Sequence, residues 1–221
     1  MMMNFKACLF DLDGVIVDTA KYHYLAWRAL ANKLGFDFTE NDNERLKGVS
    51  RMASLEILLE VGNISLNEEQ KLAFAEEKNK QYVAYIEQMN PDEILPGVLH
   101  FLDSLKKAGI KTAIGSASKN APTILNRLKL NSFFDAIIDG NKVSKAKPDP
   151  EVFLKGAAEL GVSPGECVVF EDAQSGVEAA LNGGMKCVGI GDPAILKHAH
   201  LVIPGFVDFS LKTLIGLSVL D

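Results

Sequence analysis

The chain has few cysteines and no long apolar run. It holds 3 cysteines in 221 residues, Cys8, Cys167 and Cys187, an odd number without a Cys-x-x-Cys spacing. We expect all three to be buried free thiols, as is usual in a reducing, cytoplasmic setting. The apolar stretch after Lys6 is interrupted at Asp11, so the sequence predicts neither a secretory signal nor a membrane-spanning helix.

Basic residues are also scarce relative to acidic ones. The 23 Lys and Arg residues face 29 Asp and Glu residues, which gives a formal net charge of -6. This balance argues against nucleic acid or an anionic membrane as the main partner. A 48% hydrophobic composition over 221 residues allows one large domain or a domain with an insertion. We therefore expect a globular protein that acts on a small molecule, and we also expect it to be a monomer.

Short apolar runs and helical patterns alternate along most of the chain. The runs that have the length and composition of strands are 6–10, 111–114, 135–138, 167–170, 186–190 and 201–203. This alternation predicts an α/β fold, a doubly wound parallel sheet with a Rossmann-like core. The long interval between the first two runs shows only helical patterns. We predict that residues 16–92 form an inserted all-helical cap domain, and that residues 1–15 and 93–221 form the core.

Signals for helix boundaries divide the predicted cap. One helix is predicted over 50–61, and the next is predicted to begin at a capping box made by Ser65 and Glu68. The cap would be joined to the core by two short connections, 15–18 and 89–96. Two short connections are the layout that a hinge needs.

Two carboxylates, Asp11 and Asp13, directly follow the first apolar run. Side chains two apart in an extended chain share a side, so both point towards the carboxyl end of the sheet, where open parallel sheets bind ligands. Like charges about 4 Å apart repel by roughly 4 kcal/mol at an effective dielectric of about 20. A divalent cation would relieve this repulsion, and Mg²⁺ suits oxygen ligands. The pattern alone is equally compatible with a strand that ends in a polar turn.

Three further polar segments follow other predicted strands or lie in loops. Ser116 precedes a helix predicted to start near residue 121, which suits either a phosphate site or an ordinary cap. Lys147 lies in a proline-rich loop, and Glu171 and Asp172 follow the fourth strand. Each alone is compatible with solvated surface, but parallel strands would bring all of them to one edge. At that edge Asp11, Glu171 and Asp172 would together carry three negative charges. A dication and Lys147 are both needed to balance them before a phosphate dianion can enter.

These segments, in this order, resemble the haloacid dehalogenase-like phosphotransferase superfamily. The match with its sugar-phosphate mutases extends over residues 11–16, 46–51 and 116–120. The resemblance implies an isomerase that interconverts β-D-glucose 1-phosphate and D-glucose 6-phosphate through β-D-glucose 1,6-bisphosphate and an aspartyl-phosphate enzyme. A Mg²⁺-dependent sugar-phosphate phosphatase of the same superfamily is the alternative.

The resemblance also implies roles for single residues. Asp11 would be the nucleophile and Asp13 the acid and base. The implied Mg²⁺ ligands are Asp11, the backbone carbonyl of Asp13, Glu171 and Asp172. The implied contacts to the transferring phosphate are Ser116, Ala117 and Lys147. The implied contacts to the sugar and to the distal phosphate are His23, Lys47, Gly48, Arg51, Lys78, Ser118, Lys119 and Asn120. His23 has a competing interpretation as a packed polar residue of the first cap helix.

Overall fold

A parallel sheet of six strands forms the centre of the protein, in a computed structural model that describes residues 5–46 and 49–217. The strands are β1 Ala7–Phe10, β2 Lys111–Gly115, β3 Ala136–Ile138, β4 Cys167–Glu171, β5 Lys186–Ile190 and β6 Leu201–Ile203. Their order across the sheet is β3-β2-β1-β4-β5-β6, and every pairing is parallel. The predicted fold class is confirmed, and each predicted strand is found to within one residue of its limits.

The register of the central strands sets the level of the site. Phe10 pairs with Ile114 on one side and with Phe170 on the other, and the rings of Phe10 and Phe170 stack with centroids 4.8 Å apart. Every residue of β1 and β4 is buried, as expected of strands covered by helices on both faces. The strand order reverses between β1 and β4, which is where sheets of this kind bind their ligands.

Helices cover both faces of the sheet. In chain order, the helices of the described residues are α1 Ala20–Leu34, α2 Glu40–Glu44, α3 Arg51–Val61, α4 Glu68–Ile86, α5 Val98–Lys107, α6 Ala121–Arg127, α7 Glu151–Leu160, α8 Gln174–Asn182 and α9 Leu211–Leu217. Apolar residues of α5, α6 and α9 pack on one face, and those of α7 and α8 pack on the other. The three cysteines are buried free thiols, as predicted. Across residues 5–46 and 49–217, the helices lack the length and apolarity needed to cross a membrane.

Between β1 and α5, the regular elements of the described residues are all helices, as predicted. Helices α1, α3 and α4 enclose a separate apolar cluster that includes Trp27, Phe38 and Leu55. The two connections to the sheet run side by side, because Val17 and Ile94 form an antiparallel bridge. The paired connections suit a hinge, while the exact limits of a cap at 16–92 stay a prediction.

One predicted helix start was wrong. Helix α4 is capped by Asn67 and Gln70, each side chain bonding the other residue's backbone N–H, and the predicted box of Ser65 and Glu68 does not form. Leu66 is half-buried against the apolar cluster of the cap, and Asn67, the next residue, is exposed. Asparagine is among the strongest N-cap residues, so the helix is capped at Asn67.

Candidate active site

Asp11 and Glu171 share the ammonium group of Lys147. The Lys147 Nζ lies 2.5 Å from the Asp11 Oδ1 and also donates to the Glu171 Oε1. The three residues are 6%, 1% and 7% exposed, in the order Asp11, Glu171, Lys147. Burial by itself would lower the pKa of Lys147, but the two carboxylates raise it well above its ordinary value. The lysine is therefore a fixed positive charge between the ends of β1 and β4.

The loop that carries Lys147 is held by the start of α7. Glu151 accepts hydrogen bonds from the backbone N–H groups of Ser144 and Lys145 at 2.9 and 2.7 Å. The Lys147 ammonium also lies over the ring of Phe153, 4.9 Å from its centroid. Residues of α7 thus hold the start of the loop and the Lys147 side chain itself, and the lysine is directed inward.

Asp13 is placed to hold a proton near neutral pH. Burial, followed by the nearby Asp11 carboxylate, raises the pKa of Asp13 from 3.8 to about 7. The buried Thr19 hydroxyl donates to the Asp13 carboxylate, and this hydrogen bond and the Lys147 charge lower that pKa again in part. A carboxyl group in this range can both give and take a proton at physiological pH.

Two glycines let further carboxylate oxygens approach the backbone. Gly14 has a positive φ of 77°, and a side chain there would overlap the Asp172 carboxylate. A side chain at Gly176, in the first turn of α8, would overlap the Glu171 carboxylate. Glycine is the residue that tolerates such close approach. The short distance between Gly14 and Asp172 brings the loop after β1 against the loop after β4.

The chemistry of this site fits a hard dication. Asp11 and Glu171 are buried and converge on one ammonium, so two negative charges meet only one positive charge. Oxygen ligands of this kind suit Mg²⁺. Within the described part of the chain, no three acidic, histidine or cysteine side chains form a ready-made metal cage. The ligand set of Asp11, Asp13, Glu171 and Asp172 therefore stays a prediction.

The segment after β2 forms a compact polar loop. Ser116 is 1% exposed, and its Oγ accepts from the Ser118 N–H at 3.0 Å. The Ser118 Oγ in turn accepts from the Asn120 N–H at 3.2 Å. These bonds fold the loop tightly against the start of α6, at the same edge of the sheet as Asp11.

A second loop, 139–141, supports this one and was not predicted. The Gly140 N–H donates to the Ser118 carbonyl at 3.1 Å, and the Asn141 Nδ2 donates to the Lys119 carbonyl at 3.2 Å. A side chain at Gly140 would overlap the Ala117 carbonyl. The only signal in the sequence was the Asp-Gly-Asn segment directly after β3, which indicates a turn but not its partner.

The cap presents a buried lysine to the core. The Lys78 Nζ lies 2.9 Å from the His23 Nδ1 and over the rings of Trp27 and Tyr82, with centroids 4.4 and 4.8 Å away. Burial, followed by the charge of Arg51, lowers the pKa of Lys78 to about 7. Burial, followed by the charges of Lys78 and Arg51, holds the pKa of His23 well below its usual range. Lys78 is therefore only partly charged at neutral pH and can gain charge when an anion arrives.

Two groups of predicted residues come together in the structure: Asp11, Glu171 and Lys147 at the end of the sheet, and His23 and Lys78 in the cap. Lys78 lowers the pKa of Asp13, so the lysine of the cap is electrostatically coupled to the acidic site of the core. Trp27 packs in the cap cluster, as expected of an apolar helix face, and its ring also contacts the lysine. Lys47 and Gly48 lie outside the described residues.

Comparisons with known proteins agree on one family. The family model for haloacid dehalogenase-like hydrolases matches residues 5–184. A β-phosphoglucomutase from Bacillus subtilis is 42% identical over 211 residues, which cover 95% of this chain and 93% of that protein. A phosphorylated carbohydrates phosphatase from Thermotoga maritima is 34% identical and covers 82% of both chains.

A solved structure gives the same result. The crystal structure of β-phosphoglucomutase from Clostridium difficile superposes with a TM-score of 0.92 at 43% identity. The superposition covers 98% of this chain and 100% of that one. The similarity therefore includes the helices between β1 and β2 as well as the sheet.

Proposed function

Because the chain belongs to the haloacid dehalogenase-like hydrolase family, we propose that it is a phosphotransferase that interconverts β-D-glucose 1-phosphate and D-glucose 6-phosphate. The intermediate is β-D-glucose 1,6-bisphosphate. The observation that carries this proposal is the pairing of Asp11, held by a buried ammonium, with Asp13, whose pKa of about 7 suits an acid and base. We expect the enzyme to act on sugar phosphates as a cytoplasmic monomer. Its net charge of -6 argues against nucleic acid or an anionic membrane as a partner.

The reaction divides into two half-reactions. In the first, an Asp11 carboxylate oxygen attacks the phosphorus of the bisphosphate, the bond from phosphorus to the sugar oxygen breaks, and Asp13 gives that oxygen its proton. In the second, β-D-glucose 1-phosphate replaces the glucose 6-phosphate that the first step leaves, and Asp13 takes the proton of its 6-hydroxyl. The 6-oxygen attacks the aspartyl phosphate, the bond from phosphorus to Asp11 breaks, and the bisphosphate forms again. Lys147, Ser116 and Ala117 would bind the phosphoryl group between these steps.

Asp11, Glu171 and Asp172, with the backbone carbonyl of Asp13, would hold Mg²⁺. Bound Mg²⁺ would neutralise charge on the transferring phosphate. The protein's own contribution is the arrangement of acidic groups around Lys147. Without a dication, these carboxylates would repel the substrate.

The sugar and the phosphate that does not react would be bound at the face between cap and core. We propose that a dianion there draws the cap onto the sheet, and that closure brings Asp13 to the sugar oxygen and excludes water. Lys78 supports this idea, because a lysine with a pKa of about 7 gains charge beside an anion. The residues proposed for this surface are His23, Lys47, Gly48, Arg51, Lys78, Ser118, Lys119 and Asn120.

A product assay tests the function. The purified enzyme is given β-D-glucose 1-phosphate, Mg²⁺ and a trace of the bisphosphate, and both glucose 6-phosphate and free phosphate are measured. We expect glucose 6-phosphate to form much faster than phosphate is released. Release of one phosphate per sugar consumed would favour the phosphatase instead, the activity named for the relative from Thermotoga maritima.

The nucleophile is tested with Asp11→Asn. We expect turnover to fall by at least about 10⁴-fold, because an amide cannot form the phosphorylated intermediate. The matched control is Asp103→Asn, which changes an exposed carboxylate paired with Lys107 on α5. Turnover by Asp11→Asn close to that of the control would refute the assignment.

A further inference from the structure

A hydrogen bond joins the cap directly to the loop proposed to bind the distal phosphate. The Nδ2 of Asn120, at the start of α6, donates to the Oδ1 of Asn79 at 3.0 Å. Asn79 lies on α4, next to Lys78. Both asparagines are partly buried. A long helix of the cap thus contacts the core through a side chain that is close to the cap's lysine.

The two ends of an asparagine amide are not equivalent for a phosphate. The nitrogen carries two N–H donors, whereas the oxygen only accepts. Phosphate oxygens accept hydrogen bonds, so an amide turned with its oxygen towards them would repel them. The Asn79 Oδ1 accepts a hydrogen bond from one of the two N–H groups of the Asn120 side-chain amide. The second N–H stays available for a phosphate oxygen.

The backbone of the loop does not decide which end of the Asn120 side-chain amide faces the phosphate. The backbone N–H of Asn120 donates to the Ser118 Oγ at 3.2 Å. This bond fixes the position of the residue but not the rotation of its side-chain amide. Among the described residues, the bond to Asn79 is the one hydrogen bond that the Asn120 amide makes. The orientation of the amide therefore depends on a residue of the cap.

We propose that Asn79 is a positioning residue that turns the Asn120 amide nitrogen towards the distal phosphate and makes this contact depend on the position of the cap. The inference rests on the proposed function, in which Asn120 binds the phosphate that does not react. It adds that the phosphate site is completed across the interface, by a side chain that does not touch the ligand itself.

A double-mutant cycle tests this role. Asn79→Ala, Asn120→Ala and the double variant are compared in the mutase assay, with bisphosphate as the varied substrate. For Asn79→Ala we expect KM to rise about 3- to 10-fold, with kcat changed less than about twofold, as for the loss of one hydrogen bond. We expect the double variant to be no worse than Asn120→Ala, because Asn79 acts only through Asn120.

Two further variants control for stability. Lys80→Ala changes the next residue of α4, an exposed lysine paired with Glu76, and we expect its KM to be unchanged. Asn79→Leu keeps nearly the shape of asparagine without its polar atoms and should reproduce the effect of Asn79→Ala on KM.

Independent, additive effects of Asn79→Ala and Asn120→Ala would overturn the inference, as would an unchanged KM in either variant at position 79. Failure of the proposed function looks different, since the unmodified enzyme would then release phosphate and form no glucose 6-phosphate.

Discussion

Asp13 is less stable as a carboxylate in the folded protein than it would be in water. Burial and the charge of Asp11 both disfavour its ionised form, and the single hydrogen bond from Thr19 offsets this only in part. The folded protein therefore loses stability when this group ionises. Such a loss is expected where a side chain is placed for chemistry instead of for packing.

Asp13→Asn should accordingly stabilise the protein at neutral and higher pH. Below a pH of about 4 the aspartate is protonated in both the folded and the unfolded chain, so its pKa shift changes nothing. Between a pH of about 4 and about 7, Asp13 gives up its proton in the unfolded chain but keeps it in the folded protein. The free energy of unfolding therefore falls over this range, by roughly 1–4 kcal/mol in total. We expect the gain in unfolding free energy to be larger at pH 8 than at pH 4 in urea titrations. An equal gain at both pH values would contradict the raised pKa.

Thr19→Val should move the pH dependence of the first half-reaction. The Thr19 hydrogen bond lowers the pKa of Asp13, so its removal raises that pKa further. The protonated acid is needed when the sugar oxygen leaves, and the rate therefore falls as pH rises through the pKa. We expect single-turnover transfer from the bisphosphate to persist to higher pH in this variant. Thr213→Val, at an exposed threonine on α9, is the control, and identical profiles for both would refute the argument.

Loops at the carboxyl edge of the sheet depend on contacts between elements that are far apart in the chain. The strands could be predicted because each is a short apolar run, and Asp11 and Glu171 because they follow such runs directly. The contact of Asn79 with Asn120 spans 41 residues, and that of Gly140 with Ser118 joins two different loops. Neither carries a local signal, since the packing of whole helices and loops decides which polar groups meet.

Gly140→Ala should weaken phosphate binding without unfolding the protein. An added methyl group would overlap the Ala117 carbonyl and lie 3.0 Å from the Lys119 nitrogen, so the loop at 116–120 has to move. Shifts of this size at a binding site cost roughly 10-fold or more in kcat/KM. Gly165→Ala is the matched control, because its methyl group would meet nothing within 4 Å. Equal kcat/KM values for the two variants would show that the loop position is not important.

At the scale of the whole molecule, the ends of β1 and β4 concentrate negative charge in a protein that is already acidic. Asp11 and Glu171 are buried beside one ammonium, Asp172 is close to Gly14, and the net charge is -6. Repulsion among these carboxylates opposes folding, because they cannot move apart once the strands pair. A dication that binds only the folded chain would relieve this repulsion and stabilise the fold.

Mg²⁺ should therefore raise the melting temperature. At a concentration about 100 times the dissociation constant, binding to the folded state alone adds roughly 2.7 kcal/mol of stability. For a chain of this size that corresponds to an increase of about 5–10 °C, which scanning calorimetry measures with Mg²⁺ and with a chelator. Asp172→Asn should reduce the increase, whereas Asp103→Asn, at the exposed pair on α5, should leave it unchanged. An equal increase in both variants would mean that Mg²⁺ binds elsewhere, and no increase at millimolar Mg²⁺ would remove the proposed site.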